Sequence, residues 1–248
     1  MRIIGAMTTI AATAPSPRTL ASSDRRFFLT IAIVVALVVF AGFAPTYYLR
    51  GYYYSEPLPG VFRIHGAIFS AWVALYVVQT ALVSARRTDI HRKLGLAGGA
   101  LAAGMIVFGY LAAIAAARRG FSTPGLPPPL VFLAVPMFDL LVFGSLVGAA
   151  LWYRRNPATH KRLMLLAMLA VITAAIARLP GVLTYGPPAF FGLTDLFLLA
   201  GIAWDKWTRG HVHPAYIWGG LFLVLSQPLR LVVSGTDAWL RIATWLTS

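Results

Sequence analysis

Long apolar segments alternate with short polar ones along most of the chain. Seven of the apolar segments approach the roughly 20 residues that a helix needs to cross a bilayer: residues 27–48, 62–84, 93–117, 130–152, 163–180, 189–204 and 214–234. The sixth segment is the shortest and contains Asp195. This pattern predicts an all-α integral membrane bundle of seven transmembrane helices, built from one leading span and three helical hairpins.

The connections between hairpin helices are strongly basic. Spans two and three are joined by RRTDIHRK (86–93), and related segments precede span five (RRNPATHKR, 154–162) and span seven (DKWTRGHVH, 205–213). Basic residues concentrate on the cytoplasmic side of membrane proteins. If the N-terminus is inside, 14 of the 21 Lys and Arg residues lie on the inner side and seven on the outer side. The count predicts an N-terminus inside and a C-terminus outside.

The two ends of the chain differ from the spans between them. Residues 1–24 are small, polar and interrupted by proline, which favours a disordered cytoplasmic tail. A signal peptide is the alternative, because Arg2 and a short apolar run precede Ala12-Thr13-Ala14. Residues 25–248 then form the transmembrane domain. It ends in a short interfacial helix from Thr236 to Leu246, capped by Thr236 or Asp237, with Trp239, Ile242 and Leu246 on one face.

Composition narrows the classes of function. Apolar residues make up 59% of the chain and charged residues 11%, against about a quarter charged in soluble domains. The net charge of +14 lies mostly beside the spans, so we expect anionic lipid headgroups as partners and no nucleic acid. The chain has no cysteine, which excludes disulfides and thiolate metal sites. The HExxH, P-loop and GxSxG motifs are also missing, so an enzyme is not the favoured class.

Histidine placement is the most unusual feature of the sequence. Four of the five histidines lie where odd-numbered spans begin, and therefore at one membrane face: His91, His160, His211 and His213. A helix N-terminus disfavours imidazolium, and neutral imidazole is the form that ligates haem iron or another transition metal. Two alternatives stay open, which are a structural contact with lipid headgroups and the binding of an anion or a quinone headgroup.

The same residues carry a resemblance to known families. His65-Gly66, Trp72, Gln79-Thr80, the run from His91 to Gly95, the run from His160 to Met164, His213-Pro214 and Arg230 resemble a family of bacterial multi-span membrane proteins that has no assigned activity. The HRxLG element is also similar to one in ferric-reductase-like and b-type cytochrome membrane families. The resemblance implies a bacterial inner-membrane location and a single haem b at the inner face. A two-haem chain across the membrane is not expected, because histidines are not paired at two depths.

A second group of polar residues lies in the predicted outer half of the spans. It comprises His65, Asp139, Arg178, Asp195 and Arg230. Charges at membrane depth cost about 2.5–3.5 kcal/mol each on the insertion scale, so they usually face the bundle interior and pair. We expect Asp139 and Asp195 to face inward and at least one of them to pair with an arginine. The group is either a structural ion-pair network or a pocket for a ligand or a proton.

Small residues four apart in the third span are a further packing signal. Gly95, Gly99 and Ala103 would let another helix approach closely and would place this span centrally, although Gly and Ala are also common in such helices. Two functions therefore stand side by side. One is a haem- or metal-binding membrane redox protein that uses the inner histidines, and the other is a non-redox protein that binds or transports a small molecule or ion at the outer charged group.

Overall fold

The computed structural model describes residues 17–120 and 126–248, with side chains from residue 20 onward. Helices account for 87% of the described residues, which contain no strand. In chain order the α-helices are α1 (Pro17–Phe43), α2 (Arg50–Tyr53), α3 (Gly60–Ser84), α4 (Thr88–Arg118), α5 (Pro129–Phe132), α6 (Ala134–Trp152), α7 (Pro157–Ile176), α8 (Gly186–Arg209), α9 (Pro214–Ser234) and α10 (Asp237–Thr247). A π-helical turn at Ala44–Tyr48 follows α1, and two 3₁₀ turns, Tyr153–Arg155 and Val182–Tyr185, flank α7.

Seven helical segments of the described chain are long and apolar enough to cross a membrane, so the prediction of a seven-helix, multi-pass membrane protein is confirmed at that level. Several predicted spans were shorter than the observed helices, because polar residues continue each helix beyond its apolar part. α4 begins at Thr88 and α7 at Pro157, about one and a half turns before the predicted spans. α8 extends to Arg209, beyond the predicted end at residue 204.

Two predicted boundaries are wrong. Residues 17–24 of the predicted disordered tail belong to α1, and residues 1–16, with the alternative signal peptide, lie outside the described residues. The fifth span ends at Ile176 and not at residue 180. Pro180 has no N–H to donate to the Ile176 carbonyl, and Gly181 then turns the chain with a positive φ of 79° that suits glycine.

The fold is organised around α7. This helix packs against α1, α6, α8 and α9. Of the residues in its most apolar stretch, 67% are buried inside the bundle, compared with 33% for α4. The third span is therefore not the central one. Its buried small residues are Gly98, Ala102, Gly109, Ala112 and Ala113, whereas Ala103 of the predicted row is exposed.

The two ends of the bundle carry different polar residues. We call one the histidine end, which holds His91, His160 and His213 at the first turns of α4, α7 and α9. The other is the tyrosine end, which holds Tyr47, Tyr48 and the exposed residues Tyr52–Tyr54 between α1 and α3. Successive long helices run in opposite directions, so α3 begins at the tyrosine end and finishes at the histidine end.

The predicted C-terminal helix is present as α10. The side chain of Thr236 caps it by accepting a hydrogen bond of 3.2 Å from the Trp239 amide. Its buried face contains Trp239 and Ala243, whereas Ile242 points outward, 50% exposed. The indole of Trp239 donates to the Leu130 carbonyl at 2.8 Å and fixes α10 against α5.

Candidate histidine site and charge networks

His91 and His160 are brought together at the histidine end. His91 lies in the first turn of α4 and His160 in the first turn of α7, and their ring centres are 6.3 Å apart with planes at 81°. Both side chains are half-buried. The two histidines are 69 positions apart in the sequence, so the pairing is a product of the tertiary fold.

His160 is held in one orientation by its own helix end and by α6. The Asn156 side chain caps α7 by accepting from the Thr159 amide at 3.2 Å, and Pro157 occupies the first helical position, which suits its fixed φ. This places the His160 Nδ1 atom 2.8 Å from the Ala150 carbonyl oxygen. Because a carbonyl only accepts, Nδ1 carries the hydrogen, and the neutral ring presents an unprotonated Nε2.

His91 is positioned through α3. The Gln79 Nε2 atom donates to the His91 backbone carbonyl at 3.2 Å, joining the last turns of α3 to the first turn of α4. The Nδ1 atom of His91 and the Oε1 atom of Gln79 are both buried without a hydrogen-bond partner among the described residues. Buried polar atoms are nearly always satisfied, so these two atoms mark a place where an external group can bind.

The other two histidines of the predicted set do not join this pair. His211 is exposed, and its Nδ1 atom lies 3.0 Å from the Arg209 carbonyl. His213 is the N-cap of α9, where its Nδ1 accepts from the Ala215 amide at 3.1 Å. Burial, and next the nearby Arg162, lower the pKa of His213 below its ordinary value of 6.5. A neutral ring at this position keeps the cap intact.

A buried charge network lies beside the histidines, and Asp24 of α1 is at one side of it. The Asp24 carboxylate accepts from Lys161 of α7, from Arg209 of α8 and, at 2.9 Å, from the Trp204 indole. The ring of Phe27 stacks on Trp204 with centres 4.6 Å apart. Asp24 therefore fastens the start of α1 to α7 and α8.

Arg162 and Asp205 form the most buried ion pair of the described chain, with 0% and 1% of their side chains exposed. Arg162 meets both carboxylate oxygens, through Nε at 2.8 Å and through a second guanidinium nitrogen. Asp205 also accepts from Arg209 at 3.1 Å and from the His213 amide at 3.2 Å. Together with the Asp24 cluster, the network holds three cations and two carboxylates.

The predicted polar group in the other half of the bundle forms one ion pair. Arg230 of α9 binds Asp139 of α6, and 2% and 15% of these side chains are exposed. Arg230 also donates to the Ser226 carbonyl at 3.0 Å and to its hydroxyl at 2.9 Å, and its guanidinium lies 5.4 Å from the Phe191 ring centre. The expectation that an intramembrane aspartate pairs with an arginine is confirmed for Asp139.

The remaining members of that group stay apart. Asp195 binds the side-chain amide of Gln227 at 2.8 Å and makes no ion pair within the described residues. Arg178 donates to the Ala174 carbonyl at 2.6 Å and lies over the ring of Phe43. The His65 ring packs 4.2 Å from that of Phe69. The five residues therefore do not form one pocket.

Two clefts of the described surface lie away from the histidine pair. One, of about 360 Å³, is lined by apolar residues of α1, α7 and α8 and the turn after α7, including Ile31, Ile176 and Phe197. The other, of about 530 Å³, runs along α10 beside Asp237, Arg241 and Trp245. Neither cleft touches His91 or His160. No group of three or more His, Cys, Asp or Glu side chains suited to a metal occurs in the described part of the chain.

The spacing of the two histidines still fits a single metal centre. Two imidazoles that bind one metal ion at about 2.0–2.1 Å from each nitrogen have ring centres roughly 6 Å apart, and the observed distance is 6.3 Å. His160 also donates its other ring N–H to a carbonyl, as metal-ligating histidines usually do. The residues present supply two nitrogen ligands and leave the other coordination positions to an external group.

Comparison of the chain with family models, with curated proteins and with solved structures gives no match. The resemblance to bacterial multi-span proteins and to b-type cytochromes therefore stays an expectation.

Proposed function

We propose that this protein binds a transition-metal centre, either the iron of a haem or a metal ion, between His91 and His160, and that it serves membrane redox chemistry. The observation that carries the proposal is the pair of imidazoles 6.3 Å apart. One presents a free Nε2 because Ala150 takes its Nδ1 hydrogen, and the other has a buried Nδ1 atom without a protein partner.

The surroundings of the pair favour a group that carries negative charge. Arg92 and Lys93 follow His91 directly, and both are exposed, while Lys161 follows His160. The propionates of a haem would be attracted to these charges. Iron held by two imidazoles supplies one-electron transfer. The Ala150 carbonyl orients the His160 ring, and Gln79 holds the backbone of His91.

We infer that the histidine end faces the cytoplasm, because the basic residues concentrate there. In this orientation, exposed Trp152, Trp207 and Trp218 lie at the level of the lipid headgroups, where tryptophan is enriched. Anionic lipids would then surround the histidine pair. The location would then be a bacterial inner membrane, as the resemblance implies, and the electron partner would be a quinone or a soluble carrier.

A non-redox protein centred on the polar group around Asp139 is the second candidate, and the contacts favour it less. Arg230 and Asp139 neutralise each other, and Ser226 takes two further Arg230 donors. A pocket for a charged ligand would leave such groups available. We therefore assign the Asp139–Arg230 pair to holding α6 and α9 together.

The optical spectrum of detergent-purified, tag-free protein tests the proposal, with haem supplied during expression. A Soret band that shifts on reduction with dithionite supports it, provided that His91→Ala and His160→Ala each lose the band. His211→Ala is the matched control, because His211 is an exposed histidine of the same face, and it should keep the band. A colourless protein without bound metal by elemental analysis would contradict the proposal.

A further inference from the structure

Asp195 differs from every other acidic residue of the chain. All seven carboxyl side chains lie in described residues. Three of them, Glu56, Asp89 and Asp237, are exposed. Three more are bound to Lys or Arg, namely Asp24, Asp139 and Asp205. Asp195 alone is half-buried and has only a neutral partner, the Gln227 amide at 2.8 Å.

The position of Asp195 makes this lack of a cation costly. It is the tenth residue of α8, which places it about 13 Å along the helix axis from Gly186 at 1.5 Å per residue. Its neighbours Leu193, Leu196 and Leu199 are exposed on the outer surface of the bundle, where lipid covers the protein. A carboxylate at membrane depth without a compensating charge costs several kcal/mol, and the neutral acid avoids most of that cost.

The cations of the neighbouring helices are already engaged. On α9, Arg230 lies three residues after Gln227 and binds Asp139 and Ser226. At the tyrosine end, Arg178 bonds to its own helix at Ala174. The polar groups that face this region are two hydroxyls, Thr173 on α7 and Thr194 on α8, which bond to each other at 3.0 Å. The other described titratable groups on helices packed against α8 lie at the histidine end or on the 3₁₀ turn: Asp24, Arg25, Arg26, His160, Lys161, Arg162, Tyr185, Asp205, Lys206, Arg209 and Tyr216.

The partner of Asp195 also suits two protonation states. A side-chain amide offers N–H donors to a carboxylate and, after rotation by half a turn, an oxygen acceptor to a carboxylic acid. Arginine offers only donors, so the Arg230 partner of Asp139 favours the charged form alone. Gln227 can satisfy Asp195 with or without its proton.

We propose that Asp195 and Gln227 form a proton-binding site in the tyrosine-side half of the bundle, where Asp195 holds a proton at neutral pH. The site is independent of the histidine pair and of any metal there. Its ligand is the proton itself, exchanged between the carboxyl oxygen of Asp195 and water.

Infrared spectroscopy of the full-length protein in detergent tests this directly, because a carboxylic acid has a C=O stretch that a carboxylate lacks. At pH 7 we expect one carboxylic-acid band in the wild type, which shifts in D₂O and disappears in Asp195→Asn. Asparagine has nearly the same shape and can still bond to Gln227, so the variant should fold. Asp139→Asn is the matched control and should keep the band.

Covalent labelling gives a second readout that does not depend on spectral assignment. An apolar carbodiimide attacks protonated carboxyl groups that face lipid, so peptide mass spectrometry should find the adduct on Asp195 and not on Asp139. The site is refuted if the wild type shows no carboxylic-acid band at pH 7. Retention of the band in Asp195→Asn would refute it as well, and so would labelling of Asp139 in place of Asp195.

Discussion

The two polar regions of this bundle solve the problem of buried charge in different ways. At the histidine end, three cations and two carboxylates from α1, α7 and α8 share one network. In the tyrosine-side half, charges meet in a single pair between α6 and α9, and Asp195 is left with an amide. A shared network tolerates an unequal number of charges near water, whereas deeper in the membrane each charge needs its own partner or a proton.

The largest expected effect is from breaking the most buried pair. Arg162→Ala leaves Asp205 in a fully buried position with only Arg209 and the His213 amide as partners. We expect a loss of stability on the order of 3–5 kcal/mol, measured by thermal or denaturant unfolding in detergent. Arg162→Met combined with Asp205→Asn should regain part of it, since both charges are then gone. If the double variant is no more stable than the single one, the pair is not what stabilises this end.

Breaking the ion pair in the tyrosine-side half should cost less folding stability. Arg230→Ala removes the partner of Asp139, but Asp139 keeps 15% exposure and can take up a proton. We expect a loss at or below the lower end of the roughly 3–5 kcal/mol range for buried pairs, with partial recovery in Arg230→Ala/Asp139→Asn. The same unfolding assay applies. A loss larger than that of Arg162→Ala would contradict the expectation that the pair at the histidine end stabilises the fold more.

Acidic pH should weaken the histidine end through His213. The unfolded chain binds a proton at His213 as the pH falls through 6.5, whereas the folded pKa is lower. Folding stability contributed by the neutral cap is therefore present above pH 6.5 and is lost as the pH falls towards the folded pKa. The loss should be about 0.5–2 kcal/mol, the usual range for an N-cap.

Unfolding midpoints at pH 8 and pH 5.5 measure this effect. His213→Asn should match the wild type at pH 8, because asparagine also caps helices, and it should lose less stability at pH 5.5. An equal loss in both proteins would assign the pH dependence to other groups.

The smallest effect is expected for Arg178. Its side chain is exposed and bonds only to its own helix and to the ring of Phe43. Arg178→Lys should therefore leave the unfolding midpoint nearly unchanged, and Arg178→Ala should cost at most about 1 kcal/mol, as for exposed cation–π contacts. A large loss would show that Arg178 compensates a buried acid after all.

Sequence reasoning recovered the elements whose signal is local. Apolar length identified all seven long helices, and the Thr236 cap was visible in the sequence. The Asp139–Arg230 pair followed from the cost of charge in lipid, because few partners were available. Helix ends were missed wherever polar residues continued a helix beyond its apolar part, as in α1, α4 and α8.

The network at the histidine end was not predicted, because it depends on those same polar helix ends. Asp24 was assigned to a disordered tail and Asp205 to a loop, so neither was considered as a buried partner. The signal that could have found them is the scarcity of acids. Because the chain has 7 acidic residues against 21 basic ones, an acidic residue beside a span is a strong candidate for an ion pair with one of them. The choice of His91 and His160 from four histidines required the tertiary fold.

The central claim is that His91 and His160 together bind a metal centre. Electron paramagnetic resonance of tag-free protein loaded with one equivalent of Cu²⁺ tests it most directly, by counting imidazole nitrogens coupled to the metal. We predict two coupled imidazoles in the wild type and in His211→Ala, and no more than one in His91→Ala and in His160→Ala. Two coupled imidazoles in either of those last variants, or none in the wild type, would contradict the assignment.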